Sequence, residues 1–401
     1  MTNRAHDAAR LREIAWVFTR LGFTAFGGPA AHVAMIEDEV VTRRGWIDRA
    51  HFLDLVSAVN FIPGPNSTEL AIHLGYLRGG RRGLVVAGVC FITPAVLIIL
   101  PLGWMYVTYG QLPRVNGALQ AITASVLGII LIAGYRLART SLTSPLSWII
   151  AITSLVLAVL GHRYGIAQYE LILLGSSALA GALWARSRED QSTTPAEIKS
   201  PPPSAGATAL LPLLALPLPF AGKAFTLFLL MLKIGATLFG SGYVLASYLQ
   251  ADLVTRTGFL SNEQLSHAIS VGQITPGPLL TTATFVGYTL GHAWYGSHAA
   301  AAGLAVLATV GIFLPSFVFV ALLAPFWSGI RGNPTARGAL SGMNAVVVTL
   351  IAIVAWRLIY ENIRTPILIG ILGVTLALLL TVRINATWLV LSAGLIGWLC
   401  M

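Results

Sequence analysis

The chain has 401 residues, 56% of them hydrophobic and 10% charged, with a mean hydropathy of +0.78. Soluble proteins carry about 25% charged residues, so these figures exclude an ordinary soluble domain and predict an all-α polytopic protein seated in a lipid bilayer. The formal net charge of +10 does not mark a nucleic-acid binder: the basic residues are scattered through short loops, which is how membrane proteins signal topology.

Apolar segments run at 14–35, 52–76, 84–108, 117–138, 145–161 and 166–185. A polar stretch with Ser187, Arg188, Glu189 and Asp190 follows, then Pro201-Pro202-Pro203, which reads as a mobile linker. Further apolar segments run at 224–249, 264–291, 298–327, 338–359, 365–381 and 386–401. The expected division is a first unit at 1–185, a linker with a short apolar piece at 186–222, and a second unit at 223–401. The piece Leu210–Phe220 holds Pro212, Pro217 and Pro219, and it reads as an extra crossing, an interfacial segment, or neither. Cys90 and Cys400 sit in apolar surroundings and predict neither a disulfide framework nor a zinc site. The charged first 13 residues do not read as a cleavable signal.

The two units repeat each other. Phe26-Gly27-Gly28-Pro29 and then Pro63-Gly64-Pro65 recur, at one constant offset, as Phe239-Gly240-Ser241-Gly242 and Pro276-Gly277-Pro278. Gly22 matches Gly235, Arg43 matches Arg256, and Asn60 matches Gln273. After a short insertion, Pro94 matches Pro315, Gly117 matches Gly338 and Arg136 matches Arg357. Register kept over glycines, prolines and arginines together is an internal duplication. The expectation is two homologous halves of about six membrane segments each, in inverted topology, with helices broken at both motifs. Taking every apolar segment as a full crossing with the N-terminus inside, Arg10, Arg12, Arg78, Arg81, Arg136 and Arg139 fall inside and Arg43, Arg44, Arg49, Arg114 and Arg163 outside.

Gly and Pro break helices, and matched breaks in two apolar halves point to a transporter's binding site. Pro65 suits the first position of a new helix, leaving the amides of Asn66, Ser67 and Thr68 unpaired at an end that favours an anion. The second copy offers Pro278, Thr281 and Thr282 in the same way. Both turns read as oxyanion cradles, or else as kinks that only shape packing. Arg20 and Lys233 are equivalent cations two helical turns before Gly27 and Gly240, with Thr24 and Thr237 on the same faces. Together they suit a dianion; the plainer reading is snorkelling toward a helix start. Gly27, Gly28 and Pro29 in one half and Gly240 and Ser241 in the other complete the candidate set, with the alternative of close helix packing. Glu69 and His32 are candidates for carrying a proton. The run Glu37-Asp38-Glu39 with Arg43-Arg44 reads as a solvated loop. Gly64→Ala is expected to harm transport more than Gly83→Ala. No HExxH, phosphate-binding loop or GxSxG occurs, so neither an enzyme nor a cofactor is expected.

With these motifs in order, the chain resembles the chromate ion transporter family in its long, two-unit form. The resemblance rests on Arg20 to Pro29, His32, Arg43-Arg44-Gly45-Trp46, Pro63-Gly64-Pro65, Lys233-Ile234-Gly235, Phe239 to Gly242 and Pro276-Gly277-Pro278, and it covers nearly all of the chain outside the linker. It implies a secondary transporter that exports chromate across the bacterial inner (plasma) membrane and confers chromate resistance. Sulfate or another tetrahedral oxyanion is the near alternative, a passive anion channel a further one; a homo-oligomer is open. A potential negative inside drives anions outward by about 2.3 kcal/mol per charge per 100 mV, so a dianion gains roughly twice that without ATP.

Overall fold

The computed structural model describes residues 2–26, 28–164, 169–190, 222–239, 242–324, 333–382 and 384–401. Gly27, Gly240, Ser241 and Leu210–Phe220 therefore lie outside the described residues. Regular structure among the described residues is helical. In the first half, α1 (Thr2–Thr24) stops before the Gly-Gly-Pro break, and α2 (Pro29–Glu37) continues as a π-helical turn, Asp38–Arg43. α3 (Arg49–Val59) stops before Pro63-Gly64-Pro65, and α4 (Asn66–Tyr109) starts directly after it. Non-helical dihedrals at Gly79 and Gly80 divide α4 into two legs. Then come α5 (Pro113–Ser141), α6 (Pro145–Arg163) and α7 (Tyr169–Asp190).

The second half repeats the series. α8 (Lys223–Thr237) precedes the second break. The short α9 (Leu245–Leu249) lies between a 3-10 turn, Gly242–Val244, and a π-helical turn, Gln250–Arg256. α10 (Asn262–Ile274) leads to a 3-10 turn, Leu279–Thr281, and α11 (Thr282–Tyr295). α12 (His298–Leu323), α13 (Pro334–Asn362), α14 (Pro366–Thr381) and α15 (Ala386–Cys400) complete it. α11 and α12 correspond to the two legs of α4, and a left-handed Gly296 at their junction stands where Gly80 stands in the first half. Starts are capped in the usual way: Ser261 and Gln264 form a capping box on α10, and Asn333 caps α13 ahead of a first-turn proline.

The broken helices are hairpins. Glu13 on α1 accepts hydrogen bonds from Arg44 Nη1 (3.0 Å), Trp46 Nε1 (3.1 Å) and Arg78 Nη2 (3.0 Å). The end of the π-helical turn and the end of α4's first leg thus both return to the first part of α1. In the second half Phe259 packs on Trp294 at 4.9 Å, and Lys223 Nζ lies 5.6 Å over the same ring. Each half therefore has two hairpins with bases together and the Gly/Pro motifs at their tips. This corrects the charge count above, which set Arg44 and Arg78 at opposite ends. A helix such as α8, with 15 residues, reaches only about 22 Å at about 1.5 Å per residue, short of a hydrocarbon core of about 30 Å. The acidic run is corrected too: Glu37 ends α2, and Glu39 is buried in the π-helical turn.

Among the described residues α4, α5, α12 and α13 are long and apolar enough to cross a membrane; α6, α14 and α15 are apolar but shorter. The chain is an integral membrane protein. Small residues bring its helices close. Gly22 on α1 packs against the carbonyl of Phe91 and the ring of Pro94, and its equivalent Gly235 on α8 packs against the carbonyl of Ile312. The outer helices are exchanged between halves. α7 packs on α13 through Gly181, Gly338 and Gly342, while α15 packs on α5 through Gly397 and Gly117. Thr349 Oγ1 of α13 donates to Ala151 O of α6 (3.0 Å), and Thr375 Oγ1 of α14 to Ser125 Oγ of α5 (3.2 Å). Gly83 is also a contact position, since an added Cβ would strike the Gly75 carbonyl; Gly303, with open space around it, is the proper neutral comparison for Gly64. Gly342→Leu drives a side chain into the Ser177 carbonyl and is expected to lower stability by about 1–3 kcal/mol. Gly303→Leu is expected to leave it unchanged, as read by thermal unfolding in detergent.

Candidate functional site at the hairpin tips

The left-handed or otherwise glycine-only backbone occurs at the tips, with φ 82° at Gly28, 139° at Gly64 and 94° at Gly277. Pro63 and Pro65 flank Gly64, and Pro276 and Pro278 flank Gly277, so the turns lack the donors that would continue a helix. Breaking helices there frees backbone groups that must find partners. They find them across the duplication. Gly64 N–H donates to Leu238 O at 2.7 Å, and Gly277 N–H donates to Ala25 O at 2.9 Å. Leu238 is the equivalent of Ala25, as Gly277 is of Gly64. Each proline turn is thus bonded to the end of the other half's first helix.

Two amides remain at each restarted helix. Thr68 and Glu69 N–H donate to Pro65 O at 2.8 and 3.2 Å, so the Thr68 amide is not free as expected, whereas the amides of Asn66 and Ser67 meet no acceptor among the described residues. In the second copy Thr281 N–H donates to Pro278 O at 3.0 Å, and the amides of Leu279 and Leu280 are left. The Thr281 hydroxyl is committed to Pro278 O at 2.7 Å. Ser67 Oγ meets His32 Nδ1 at 3.3 Å, and Asn66 Nδ2 donates to Asn60 Oδ1 at 2.6 Å. His32 is buried edge-on to Phe91, 6.1 Å between ring centres. Pro29 is the first residue of α2.

The two cations are not unaccompanied. Arg20 Nη1 lies 3.4 Å from Glu39, and Lys233 Nζ lies 3.0 Å from both oxygens of Asp252. Glu39 and Asp252 are equivalent positions, so the ion pair is duplicated with the fold. Thr24 and Thr237 hydroxyls donate to the Arg20 and Lys233 carbonyls at 2.9 and 2.8 Å. The Lys233 and Asp252 side chains are 11% and 4% exposed, against 45% and 7% for Arg20 and Glu39. Arg44 adds a bond to Glu39 at 2.8 Å, and Arg256 approaches Asp252 at 3.5 Å.

The space at the tips is small. A cavity of about 20 Å³ lies between Gly28 and His32 on one side and Gln273, Thr275, Gly277 and Leu279 on the other, with Ile129 and Thr387 closing it. A second, of about 10 Å³, shares Gln273 and Leu279 and reaches Gly242 and Thr282. Gln273, Thr275 and Thr387 were not among the sequence candidates. The match of Gln273 to Asn60 was a signal for the first; Thr387 is brought in by the exchanged helix α15 and left no local mark.

A duplicated set of apolar helices whose broken tips meet around a small polar cavity defines an integral membrane protein of transporter architecture. A family model described as Chromate transporter matches residues 12–182 and 225–398, and the chain belongs to that family, in its long form with two matched regions. It is 30% identical over 402 residues to the chromate transport protein of Cupriavidus metallidurans, covering 96% of this chain and 92% of that protein. It is 29% identical to a probable chromate transport protein of Synechococcus elongatus (86% and 84% covered), and 30% identical to the chromate transport protein of Pseudomonas aeruginosa (95% and 90%). No solved structure matches.

Removing one partner of a buried ion pair strands the other charge, at a cost of about 3–5 kcal/mol, while an exposed pair contributes about 0–1 kcal/mol. Lys233→Ala is therefore expected to lower the unfolding midpoint far more than Arg20→Ala, and Lys233→Ala with Asp252→Ala to recover part of the loss. Thermal melts of the three purified variants check this.

Proposed function

We propose that the chain is a secondary transporter that exports chromate across the bacterial inner membrane and so confers chromate resistance. The observation that carries this reading is the reciprocal bonding of the hairpin tips, Gly64 to Leu238 and Gly277 to Ala25. It puts two helix N-termini with free amides, each an anion-favouring end, at the meeting of two equivalent halves. The oxyanion sits at this seam, between Gly28, Asn66, Ser67 and Thr68 of one half and Gly277, Pro278, Leu279 and Gln273 of the other. Arg20 and Lys233 supply positive potential from their ion pairs rather than by direct contact in the closed form. A cavity of about 20 Å³ holds little more than one water at about 10–15 Å³, so passage of a tetrahedral oxyanion requires one half to rock against the other.

The halves are inverted in this reading. The second leg of α4 starts at the first half's hairpin bases after Gly80, passes the tips at Phe91 and Pro94, and ends where Gly103 meets Tyr288 and Tyr106 meets His267 at 3.2 Å, near the second half's bases. α12 runs the other way, with Phe317 against Gly88 and Val320 packed with Ile72. The first half's bases gather Arg44, Arg49, Arg78, Arg81 and Arg82 at one end, which the excess of positive charge assigns to the cytoplasm.

Two measurements test this. Inside-out vesicles with an imposed potential, positive inside, are expected to take up labelled chromate saturably, with inhibition by sulfate; absence of uptake by folded protein removes chromate as substrate. With Cys90 and Cys400 replaced by Ser, single cysteines at Arg49 and Arg81 are expected to react with an impermeant maleimide from the cytoplasmic side and one at Ser297 from the other. Labelling of all three from one side overturns the inversion.

A further inference from the structure

The two cradles are not alike. Glu69, in the first turn of α4, is 0% exposed. Its Oε1 accepts a hydrogen bond from Ser316 Oγ of α12 at 3.3 Å. A Cβ added to Gly64 would collide with both of those atoms, so the carboxyl group lies folded back over the proline turn where an anion was expected. Glu69 Oε2 and the fully buried Thr68 Oγ1 have no partner among the described residues. The second cradle has Thr282 at the position of Glu69, with its hydroxyl donating to Leu279 O at 2.8 Å, and Ala95 at the position of Ser316.

We infer that the Glu69 carboxyl, lying over the first proline turn in the closed form, guards that cradle, and that an oxyanion takes the cradle only while Glu69 holds a proton. This rests on the oxyanion reading above. Two anions on one helix end repel, whereas a neutral carboxyl can leave the end to the incoming ligand and donate a hydrogen bond to it. The proton comes from solution and stays on Glu69 while the oxyanion is bound. The groups around Glu69 fit this step. On α4, His73 follows one turn later, buried with Nδ1 unpartnered and within electrostatic reach of His51 at the exposed start of α3. From α2, His32 approaches through Ser67; from α3, Asn60 reaches Asn66, with Asp54 further toward the base; from α12 comes Ser316. Among the described residues no Lys or Arg forms an ion pair with Glu69. Val286 stands at the position of His73 and Thr282 at that of Glu69 in the second half, so these two titratable groups belong to the first half alone, while His267 stands at the position of Asp54.

The experiment is oxyanion binding to the purified full chain in weakly buffered detergent solution. Sulfate serves as probe beside chromate because its charge is constant from mildly acid to mildly alkaline pH, and a pH indicator counts protons. In the pH range where Glu69 is ionised in the unliganded protein, the wild type is expected to take up about one proton per oxyanion bound and its apparent Kd to rise about tenfold per pH unit. Glu69→Gln is expected to bind with no proton uptake and no pH slope, and Ser316→Ala, which frees the carboxyl, to bind more tightly than wild type at neutral pH. Wild-type binding without proton uptake and without a pH slope at any pH tested overturns the inference and leaves the transport reading standing, as does an unchanged proton count in Glu69→Gln. The wild-type count decides alone if that variant does not fold. No binding of either oxyanion at any pH overturns the oxyanion reading and the inference with it.

Discussion

Two backbone hydrogen bonds organise this molecule: Gly64 to Leu238 and Gly277 to Ala25. A helix interrupted within apolar surroundings exposes donors and acceptors that hydrocarbon cannot satisfy. Here each half supplies what the other's break leaves open, so the tips are stable only as a pair. The hairpins then need not span a membrane by themselves. The long helices α4 and α12 are themselves long and apolar enough to cross, and glycine contacts seat α1 and α8 against them. The exchange of α7 and α15 between halves adds a second dependence, since neither α13 nor α5 is covered by its own half. Any rocking of the halves acts on a structure bound together at its centre and at its flanks.

The same logic of paired positions governs charge. A lone cation beside the tips would be costly, and the chain places Glu39 by Arg20 and Asp252 by Lys233 at matching places in a π-helical turn. The wider coil of that turn brings the carboxylate back onto α1 or α8. These pairs tie the π-helical turns to α1 and α8. Against this symmetry the departures stand out. Glu69 faces Ser316 where the other half has Thr282 and Ala95, and Leu245 and Val286 stand at the positions of His32 and His73. The duplicated scaffold thus differs in its polar groups between halves, with Gln273, Thr275 and Thr387 around the cavity.

Much of this was legible in the sequence. Composition alone required membrane helices, because a chain with so few charges cannot cover itself in water. The constant offset of Gly, Pro and Arg positions exposed the duplication, and the Gly/Pro motifs located the breaks to within a few residues, because these residue types act on the local backbone directly. The partners of Arg20 and Lys233 were not legible. Glu39 sits nineteen positions away, and only the fold-back of α2 brings it near. Nor was it legible that Arg44 and Arg78 share Glu13, since hydropathy registers an apolar hairpin and an apolar crossing alike.

What the sequence determined by itself is the class of protein, its two-fold repetition and the places where helices stop, all consequences of composition and of backbone chemistry acting over a few residues. What only the tertiary structure decided is who meets whom at the breaks: that the halves bond to each other there, that Glu69 meets Ser316 of the other half, and that α15 brings Thr387 to the cavity. Those outcomes depend on contacts between segments hundreds of residues apart, and no local preference of the chain encodes which buried donor will find which acceptor once the helices have packed.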